Sequence, residues 1–273
     1  MDGASKGNEM TGHVLIAHDL RSTADLALRR ATQLARQHNA KLTLLHVFDP
    51  KLSQAERERI EQTLDRSLTE FAPPGSQLRL CQGKPAEGVL EQVQQSGADL
   101  LVLGAHHQRH EFFSGTTLDR IARRCPVPLL LAARDEATPY RSAVAAIDFS
   151  LCACTALHQA CLLLPSEASI HALHVFEPQK NATVAEAELR TQRALIDQLL
   201  LDEAQRLPPN TPKLSHEVRT GSILRTLQEH ISSQQPQLLV LGSHGRSALS
   251  QALLGSLAQH YLHKAPCDVF VVR

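Results

Sequence analysis

Long apolar runs, aromatic residues and an excess of one charge are all missing from this sequence or scarce in it. Lysine plus arginine and aspartate plus glutamate both number 28, so net charge does not draw the chain to nucleic acid. Aromatic residues make up 3% of the chain, too few for a base-stacking surface. No run approaches the roughly 18 apolar residues of a membrane span, and the polar residues 1–12 lack a signal-peptide core. We therefore expect a cytoplasmic protein with neither nucleic acid nor a membrane as a partner.

Cysteine is present but sparse. The six cysteines form no C-x-x-C pair, and a chain of 273 residues is too long to be held together mainly by disulfides. Cys152 and Cys154 are two positions apart and would face different sides of a helix. We predict reduced thiols that act as small buried residues, with a metal or redox role as the alternative.

The sequence repeats itself along its length. Residues 13–50 and 142–178 share an apolar strand ending in Asp, an amphipathic helix, and a strand ending in LHVF. Two later segments match in the same order, DLLVLGAHH with QLLVLGSHG and CPVPLLLAA with APCDVFVVR. A tandem duplication explains this order. We predict one domain at 11–133 and a second at 141–273, joined by the charged segment 134–141.

Strands and helices alternate within each half. In the second half the pattern predicts strands at 142–147, 169–175, 214–219, 237–242 and 267–272, and helices at 151–164, 181–206, 222–234 and 256–264. Short apolar strands that alternate with helices form a parallel sheet covered on both faces. We predict an α/β fold of two tandem, doubly wound, five-stranded parallel sheets of Rossmann-like type.

The ends of the predicted strands indicate where a ligand would bind. Ligands of doubly wound sheets bind beyond the carboxyl ends of the strands, where the strand order reverses. Asp148, Val175 and Gly242 each lie at such an end and should converge on one crevice. An aspartate there can accept hydrogen bonds from a ligand. The alternative is that Asp148 only caps the helix that follows it.

Three glycines separate a strand from the last helix of the second half. Gly242 ends the strand, where a side chain would obstruct a ligand, and Gly245 is expected to adopt a positive φ. Gly255 precedes Ser256, which we predict as the N-cap of the last helix. Backbone N–H groups on both sides of the loop would then bind an anion such as phosphate. The spacing is neither a P-loop nor G-x-G-x-x-G, and tight turns with a helix cap remain the alternative.

The full pattern G-2x-G-9x-G-[ST], formed by Gly242, Gly245, Gly255 and Ser256, resembles the universal stress protein family. AIDFS after the first strand, LHVF at the end of the second and APCDVFVV as the last strand resemble that family too. The likeness covers essentially the whole chain as two fused copies. It implies domains of the adenine-nucleotide α-hydrolase-like fold, paired through their last strands as an intramolecular pseudo-dimer, with a further homodimer left open.

One branch of this family binds ATP, and the resemblance therefore implies a set of nucleotide contacts. Asp148 would contact the ribose or adenine edges, and the backbone at Val175 would bond to adenine. The complete implied set is Ala146, Ile147, Asp148, Val175, Leu241, Gly242, His244, Gly245, Arg246, Gly255, Ser256 and Leu257. The alternatives are a solvated loop residue for His244 and a free surface charge for Arg246.

The matching loop of the first half departs from the pattern. His107 replaces the second glycine, and the interval from Gly104 to Gly115 is two residues shorter than its counterpart. Two phenylalanines in this loop would plug the crevice, although an anion could still dock at the helix beginning near Thr116. Metal binding by the loop histidines is an alternative to their being solvated; these are His106, His107 and His110. We predict ATP binding in the second domain only.

Catalytic groups are scarce around the glycine loop. Without a nucleophile–base pair or paired carboxylates, we predict no catalytic residues and no dedicated metal site, although Asp148 could help to hold a phosphate-bound Mg²⁺. Slow hydrolysis, or self-phosphorylation at Ser256 or a loop serine, stays open. The candidate functions are an ATP-binding stress-response regulator, a ligand-free interaction scaffold, and an adenine-nucleotide enzyme. The sequence identifies no protein partner.

Overall fold

Strands and helices alternate through both halves of the chain. The computed structural model describes residues 12–105, 116–177, 182–245 and 253–273. The first half contains β1 (His13–Ala17), α1 (Ser22–Gln37), β2 (Lys41–Phe48), α2 (Gln54–Phe71), β3 (Gln77–Gln82), α3 (Pro85–Ser96), β4 (Leu100–Gly104), α4 (Thr117–Arg124) and β5 (Leu129–Ala132). The second half contains β6 (Ser142–Ile147), α5 (Leu151–Leu163), β7 (Ser169–Phe176), α6 (Ala182–Arg206), β8 (Lys213–Thr220), α7 (Ile223–Gln234), β9 (Leu238–Gly242), α8 (Ser256–His263) and β10 (Asp268–Val272).

The strands of the described residues form one continuous sheet. Their order is β3-β2-β1-β4-β5-β10-β9-β6-β7-β8. Neighbouring strands within each half run parallel, and the order reverses between β1 and β4 and between β6 and β9. Each half is therefore doubly wound, which confirms the predicted fold class. The strands and helices predicted for the second half all agree with the structure to within one residue at each end.

The two halves join through their last strands. β5 and β10 pair antiparallel, with Phe270 opposite Leu130 and Val271 opposite Leu129. Every residue of both strands is buried. Each apolar edge is thus covered by the other, which removes the aggregation hazard of an open edge and confirms the predicted pairing.

The core consists of two apolar layers, one on each face of the sheet. Alternate residues of a strand enter opposite layers, so Leu130 and Phe270 lie in one and Leu131 and Val269 in the other. Helices α1, α2, α5 and α6 cover the first face, and α3, α4, α7 and α8 cover the second. Both layers run unbroken across the β5–β10 junction.

A buried aspartate holds the segment between the halves. Asp268, at the start of β10, accepts hydrogen bonds from the backbone N–H groups of Ala133 and Arg134 at 2.8 and 2.9 Å. Its other oxygen accepts from the Tyr140 hydroxyl at 2.6 Å and from Arg30 Nε at 3.0 Å. Burial and the neighbouring carboxylate raise the pKa of Tyr140 well above its usual range, so the hydroxyl stays a donor. The predicted linker is therefore fixed to both halves.

We expect only some of the cysteines to react in the native protein. All six are free thiols, but burial raises the pKa of Cys125 to about 11 and that of Cys161 and Cys267 to about 12. A thiol needs its thiolate form to react, so these three should resist a thiol-reactive disulfide reagent until the protein unfolds. Peptide mass spectrometry after native labelling measures this. Modification of Cys161 at the rate of the partly exposed Cys152 would contradict it.

Candidate functional site

The crevice expected in the second half would lie beyond the carboxyl ends of β6 and β9, where the strand order reverses. Asp148 directly follows β6, and its Oδ1 accepts a hydrogen bond from the backbone N–H of Ser150 at 3.0 Å. This bond closes a tight turn in which Phe149 has φ 60°, a region that bulky residues avoid. The turn fixes the direction of the Asp148 carboxylate at the edge of the crevice.

Ser150, not Asp148, caps the next helix. The Ser150 hydroxyl oxygen accepts from the backbone N–H of Ala153 at 3.2 Å and the hydroxyl lies 3.2 Å from the carbonyl oxygen of His244, to which it donates. The alternative that Asp148 is merely a helix cap is therefore wrong. The Oδ2 atom of Asp148 instead faces the glycine loop, where a Cβ on Gly245 would lie only 2.8 Å from it.

The first half repeats this turn with a different neighbour. Asp19 Oδ1 accepts from the N–H of Arg21 at 3.1 Å, and Leu20 has φ 68°. Arg21 stands where the second half has Ser150, and its Nε lies 3.5 Å from Asp19 Oδ2. The carboxylate oxygen that faces the loop in the second half is thus engaged by an arginine in the first.

Gly242 is required by packing within the protein. A Cβ on Gly242 would lie 2.6 Å from the backbone nitrogen of Ala153, at the start of α5. Gly104 has the same surroundings in the first half, with the Thr23 carbonyl oxygen at 2.6 Å. The interpretation that Gly242 leaves space for a ligand is corrected, because the α5 backbone fills that space.

Gly245 and Gly255 hold the two described ends of the loop near each other. Gly245 has no positive φ, so the expected left-handed conformation is wrong; a Cβ at this position would instead meet the Asp148 carboxylate. The N–H of Gly255 donates to the carbonyl of Ser243 at 2.7 Å. This bond brings the start of α8 beside the end of β9, so the strand end and the helix start lie together, as predicted.

The last helix begins at Ser256, where the predicted helix begins, but its cap is the glycine before it. Gly255 is the N-cap, with extended backbone angles, and its carbonyl accepts from the N–H of Gln259 at 2.9 Å. Ser256 is consequently the first helical residue, which corrects its assignment as the cap. A glycine offers no side-chain acceptor, so the N-cap residue of α8 leaves the first-turn N–H groups without a side-chain cap of its own. Its N–H groups carry the positive end of the helix dipole.

The corresponding helix of the first half is closed by its own side chains. The Thr116 hydroxyl accepts from the N–H of Asp119, while Asp119 Oδ2 accepts from the N–H of Thr116, both at 3.2 Å. Asp119 is fully buried, and its Oδ1 lies 2.8 Å from Nε2 of His263 in α8. A carboxylate already occupies this helix N-terminus, so the expectation that an anion could dock there is corrected.

The apolar residues of the predicted set lie mainly in the core. Ile147 and Leu241 are buried in the layers on opposite faces of the sheet, so their side chains belong to the core. Val175 is nearly buried near the end of β7, while Ala146 and Leu257 are half-buried. The structure therefore brings together Asp148, Gly245, Gly255 and Ser256, with the apolar residues beneath them.

His244 packs into the protein at the strand end. Its Nδ1 lies 2.6 Å from the Ser243 hydroxyl, and its Nε2 is buried without a hydrogen-bond partner among the described residues. The alternative of a solvated loop histidine is therefore wrong. Arg246 lies outside the described residues, as does the first-half loop with His106, His107, His110 and its phenylalanines.

Sequence reasoning missed a pair of histidines that support the site. Nδ1 of His174 lies 2.7 Å from the carbonyl oxygen of Ile147, and Nδ1 of His46 lies 2.7 Å from that of His18. Each ring ties the end of one strand to the residue before the crevice aspartate. The signal was present, because both copies of LHVF contain the histidine.

Comparisons with known proteins agree with this architecture. The Universal stress protein family matches residues 10–133 and again 139–273. Universal stress protein E of Salmonella typhi is 24% identical over 97% of this chain and 95% of its own length. Universal stress protein D of Escherichia coli strain K12 is 32% identical over 35% of this chain and 77% of its length. A crystal structure of a universal stress protein from Archaeoglobus fulgidus has a TM-score of 0.71 at 17% identity, covering 96% of this chain and 98% of that one.

None of the helices in the described ranges is both long and apolar enough to cross a membrane. Two consecutive family matches, a relative aligned along almost the whole chain and a sheet formed from two equivalent halves all point to the same origin. The chain belongs to the universal stress protein family and contains two tandem copies of its domain.

Proposed function

We propose that the second domain binds ATP in a crevice beyond the carboxyl ends of β6 and β9, and that the protein acts as a nucleotide-binding regulator in the stress response. The observation that carries this proposal is the difference between the two equivalent helix N-termini. The first turn of α8 has a glycine cap without a side-chain acceptor, whereas Thr116 and Asp119 close that of α4. Of these two helices, α8 is the one whose cap residue leaves the first-turn N–H groups to an external anion.

The surroundings of this helix suit a nucleotide triphosphate. Gly245 and Gly255 have no side chain that would obstruct a phosphate at the ends of the loop. The Ser256 hydroxyl lies in the first turn of α8. Phosphates would bind to these N–H groups, with Arg246 as the cationic residue that the family pattern supplies. Asp148 would accept from the ribose hydroxyls or help to hold Mg²⁺ carried by the phosphates. Adenine would bond to the backbone at Val175.

The same crevice provides little for fast chemistry. In the described part of the second domain, the polar groups around Asp148 are a capping serine and a histidine bonded to the neighbouring Ser243. Phosphoryl transfer needs a positioned nucleophile and charge clamps, which these do not supply. We propose binding with at most slow hydrolysis. We propose domain limits of 11–133 and 141–273, and a first domain that does not bind ATP in the same way. We also propose a cytoplasmic location, which the six free thiols support.

Titration calorimetry with ATP and Mg²⁺ tests this proposal. We expect a stoichiometry near one ATP per chain, and an affinity at least about tenfold lower for Asp148→Ala, equivalent to about 1.4 kcal/mol. Asp19→Ala is the matched control, because it removes the same turn from the first domain. It should leave the affinity unchanged.

Three outcomes would contradict the proposal. Two equivalent sites per chain would show that the first domain binds as well. Equal weakening by the two alanine variants would remove the specific role of Asp148. Absence of binding, together with no nucleotide detected by mass spectrometry in the purified protein, would favour the ligand-free scaffold.

A further inference from the structure

Three side chains from three different elements meet on one face of the second domain. His171 lies in β7, Glu217 in β8 and His230 in α7. Glu217 Oε2 lies 3.7 Å from His171 Nε2 and 3.9 Å from His230 Nδ1. The potential ligand atoms of all three residues lie within 4.8 Å of one another. The two imidazole rings stack at a centroid distance of 5.0 Å.

Three ring nitrogens of this cluster are buried without hydrogen-bond partners among the described residues. His230 is 2% exposed, and neither of its ring nitrogens has a hydrogen-bond partner within the described ranges. The same holds for Nε2 of His171. A buried polar atom without a partner destabilises the folded protein. A cation between the two histidines and the Glu217 carboxylate oxygen would give these nitrogen atoms a partner, and would therefore stabilise the arrangement.

Outer contacts orient two of the three groups. Nδ1 of His171 lies 3.0 Å from the Ser215 hydroxyl, so with the proton on Nδ1 the lone pair of Nε2 points toward Glu217. Arg219 Nε lies 2.9 Å from Glu217 Oε1, which leaves Oε2 directed at the histidines. Metal-binding histidines and carboxylates are commonly held by such contacts.

The protonation states also suit a metal ion. Burial lowers the pKa of both His171 and His230, so neutral imidazoles prevail near neutral pH. The hydrogen bond from Arg219 lowers the pKa of Glu217, which keeps its carboxylate ionised. Neutral imidazole and ionised carboxylate are the forms that bind metals.

The first domain provides an internal comparison. The positions equivalent to the cluster hold Thr43 in β2, Arg79 in β3 and Gln92 in α3. There, Arg79 donates a hydrogen bond to Gln92 Oε1 at 2.8 Å. The first domain thus pairs Arg79 with Gln92, and Thr43 contacts His13 instead, whereas the second domain carries three metal-ligand residue types in the same places.

We propose that the second domain binds a zinc ion through His171 Nε2, Glu217 Oε2 and a ring nitrogen of His230. Two histidines and one carboxylate at about 2.0–2.2 Å, with water as the fourth ligand, form a common zinc set. Tetrahedral coordination places ligand atoms about 3.4 Å apart, so small side-chain rotations close the present separations. His171 precedes Val175 by four residues, roughly 13 Å along β7, so this site is separate from the nucleotide crevice and does not depend on it.

Zinc content measured by inductively coupled plasma mass spectrometry, after dialysis against buffered Zn²⁺, tests the proposal. His230→Gln installs the residue found at the equivalent place in the first domain, and His171→Thr does the same for β7. Each variant should contain one zinc ion fewer per chain than the wild type, with affinity lowered by about 100-fold or more. His216→Gln is the matched control, because His216 adjoins Glu217 but points to the opposite face and pairs with Asp197 at 2.9 Å.

Folding is checked separately by melting each variant in EDTA. All should unfold cooperatively, and added Zn²⁺ should raise the melting temperature of the wild type and of His216→Gln but not that of His230→Gln. Should His230→Gln fail to fold, His171→Thr carries the test, since His171 is only half-buried. The proposal is overturned if the wild type binds no zinc, or if wild type and both cluster variants contain equal amounts.

Discussion

Replacing Asp268 with Asn is expected to lower the free energy of unfolding by about 3–5 kcal/mol. Asp268 is fully buried and accepts hydrogen bonds from Arg30, Tyr140 and two backbone N–H groups of the linker. The amide of Asn has one acceptor oxygen in place of two. It also leaves the Arg30 guanidinium, 3% exposed, without its counter-charge. An uncompensated buried charge is the source of the large effect.

The network joins the domains as well as stabilising them. Arg30 belongs to α1 of the first domain and also donates to the carbonyls of Thr138 and Glu136 at 2.6 and 2.7 Å. Its guanidinium lies 4.1 Å from the centre of the Tyr140 ring. Since Asp268 belongs to the second domain, its loss should loosen the linker and the β5–β10 junction together.

Urea unfolding followed by circular dichroism measures this effect. Asp135→Asn is the control, because it removes an exposed carboxylate from the same linker and should change stability by less than about 0.5 kcal/mol. Arg30→Met should destabilise comparably, and the double variant should cost less than the sum of the two. A loss below about 1 kcal/mol for Asp268→Asn would mean that the network contributes little.

Much of the fold could be predicted because both halves of the sequence carry the same strand and helix patterns. Apolar strands and amphipathic helices recur in the same order, so the ambiguity of one copy is reduced by the other. The Asp268 network could not be predicted in this way, since its position in the first domain holds Pro128. Its partners Arg30 and Tyr140 lie far away in the sequence. Only the folded chain shows why an aspartate occurs at the start of an apolar strand.

The sequence predicted where the site residues lie better than it predicted why each residue type is needed there. Sequence patterns placed Asp148 and the glycine loop at strand ends, because parallel strands end at the same edge. The reason for each glycine depends on which backbone lies beside it, which spacing does not reveal. The zinc cluster was missed for a similar reason, since His171, Glu217 and His230 belong to separate elements and form no local motif.

Replacing Gly242 with Ala is expected to destabilise the protein by about 3 kcal/mol, and Gly104→Ala by a similar amount. In each case the new Cβ would lie 2.6 Å from backbone atoms at the start of the packed helix, α5 or α1. Backbone cannot rotate away as a side chain can, so the helix must move off the strand. The lower chain entropy of alanine in the unfolded state offsets only about 0.4–1 kcal/mol.

Substitutions at two further glycines distinguish an effect on packing from an effect on ATP binding. Gly12→Ala is the stability control, because the nearest atom to its Cβ would be a side-chain oxygen of Asp99 at 3.4 Å, an ordinary contact. Gly245→Ala would meet only the Asp148 carboxylate, at 2.8 Å, which can rotate aside. It should keep nearly wild-type stability while lowering ATP affinity, because the displaced carboxylate is the one we assign to the nucleotide.

Thermal melting and ATP titration of the four variants distinguish these roles. We expect Gly242→Ala and Gly104→Ala to melt well below the wild type, and Gly12→Ala and Gly245→Ala to melt near it. A stable Gly242→Ala variant that had lost only ATP affinity would restore the ligand role that the sequence first suggested for this glycine. Gly104 has the same helix contact, but in its domain Thr116 and Asp119 close the helix N-terminus that corresponds to α8. Equal destabilisation of both variants would therefore show that these strand-end glycines serve the fold.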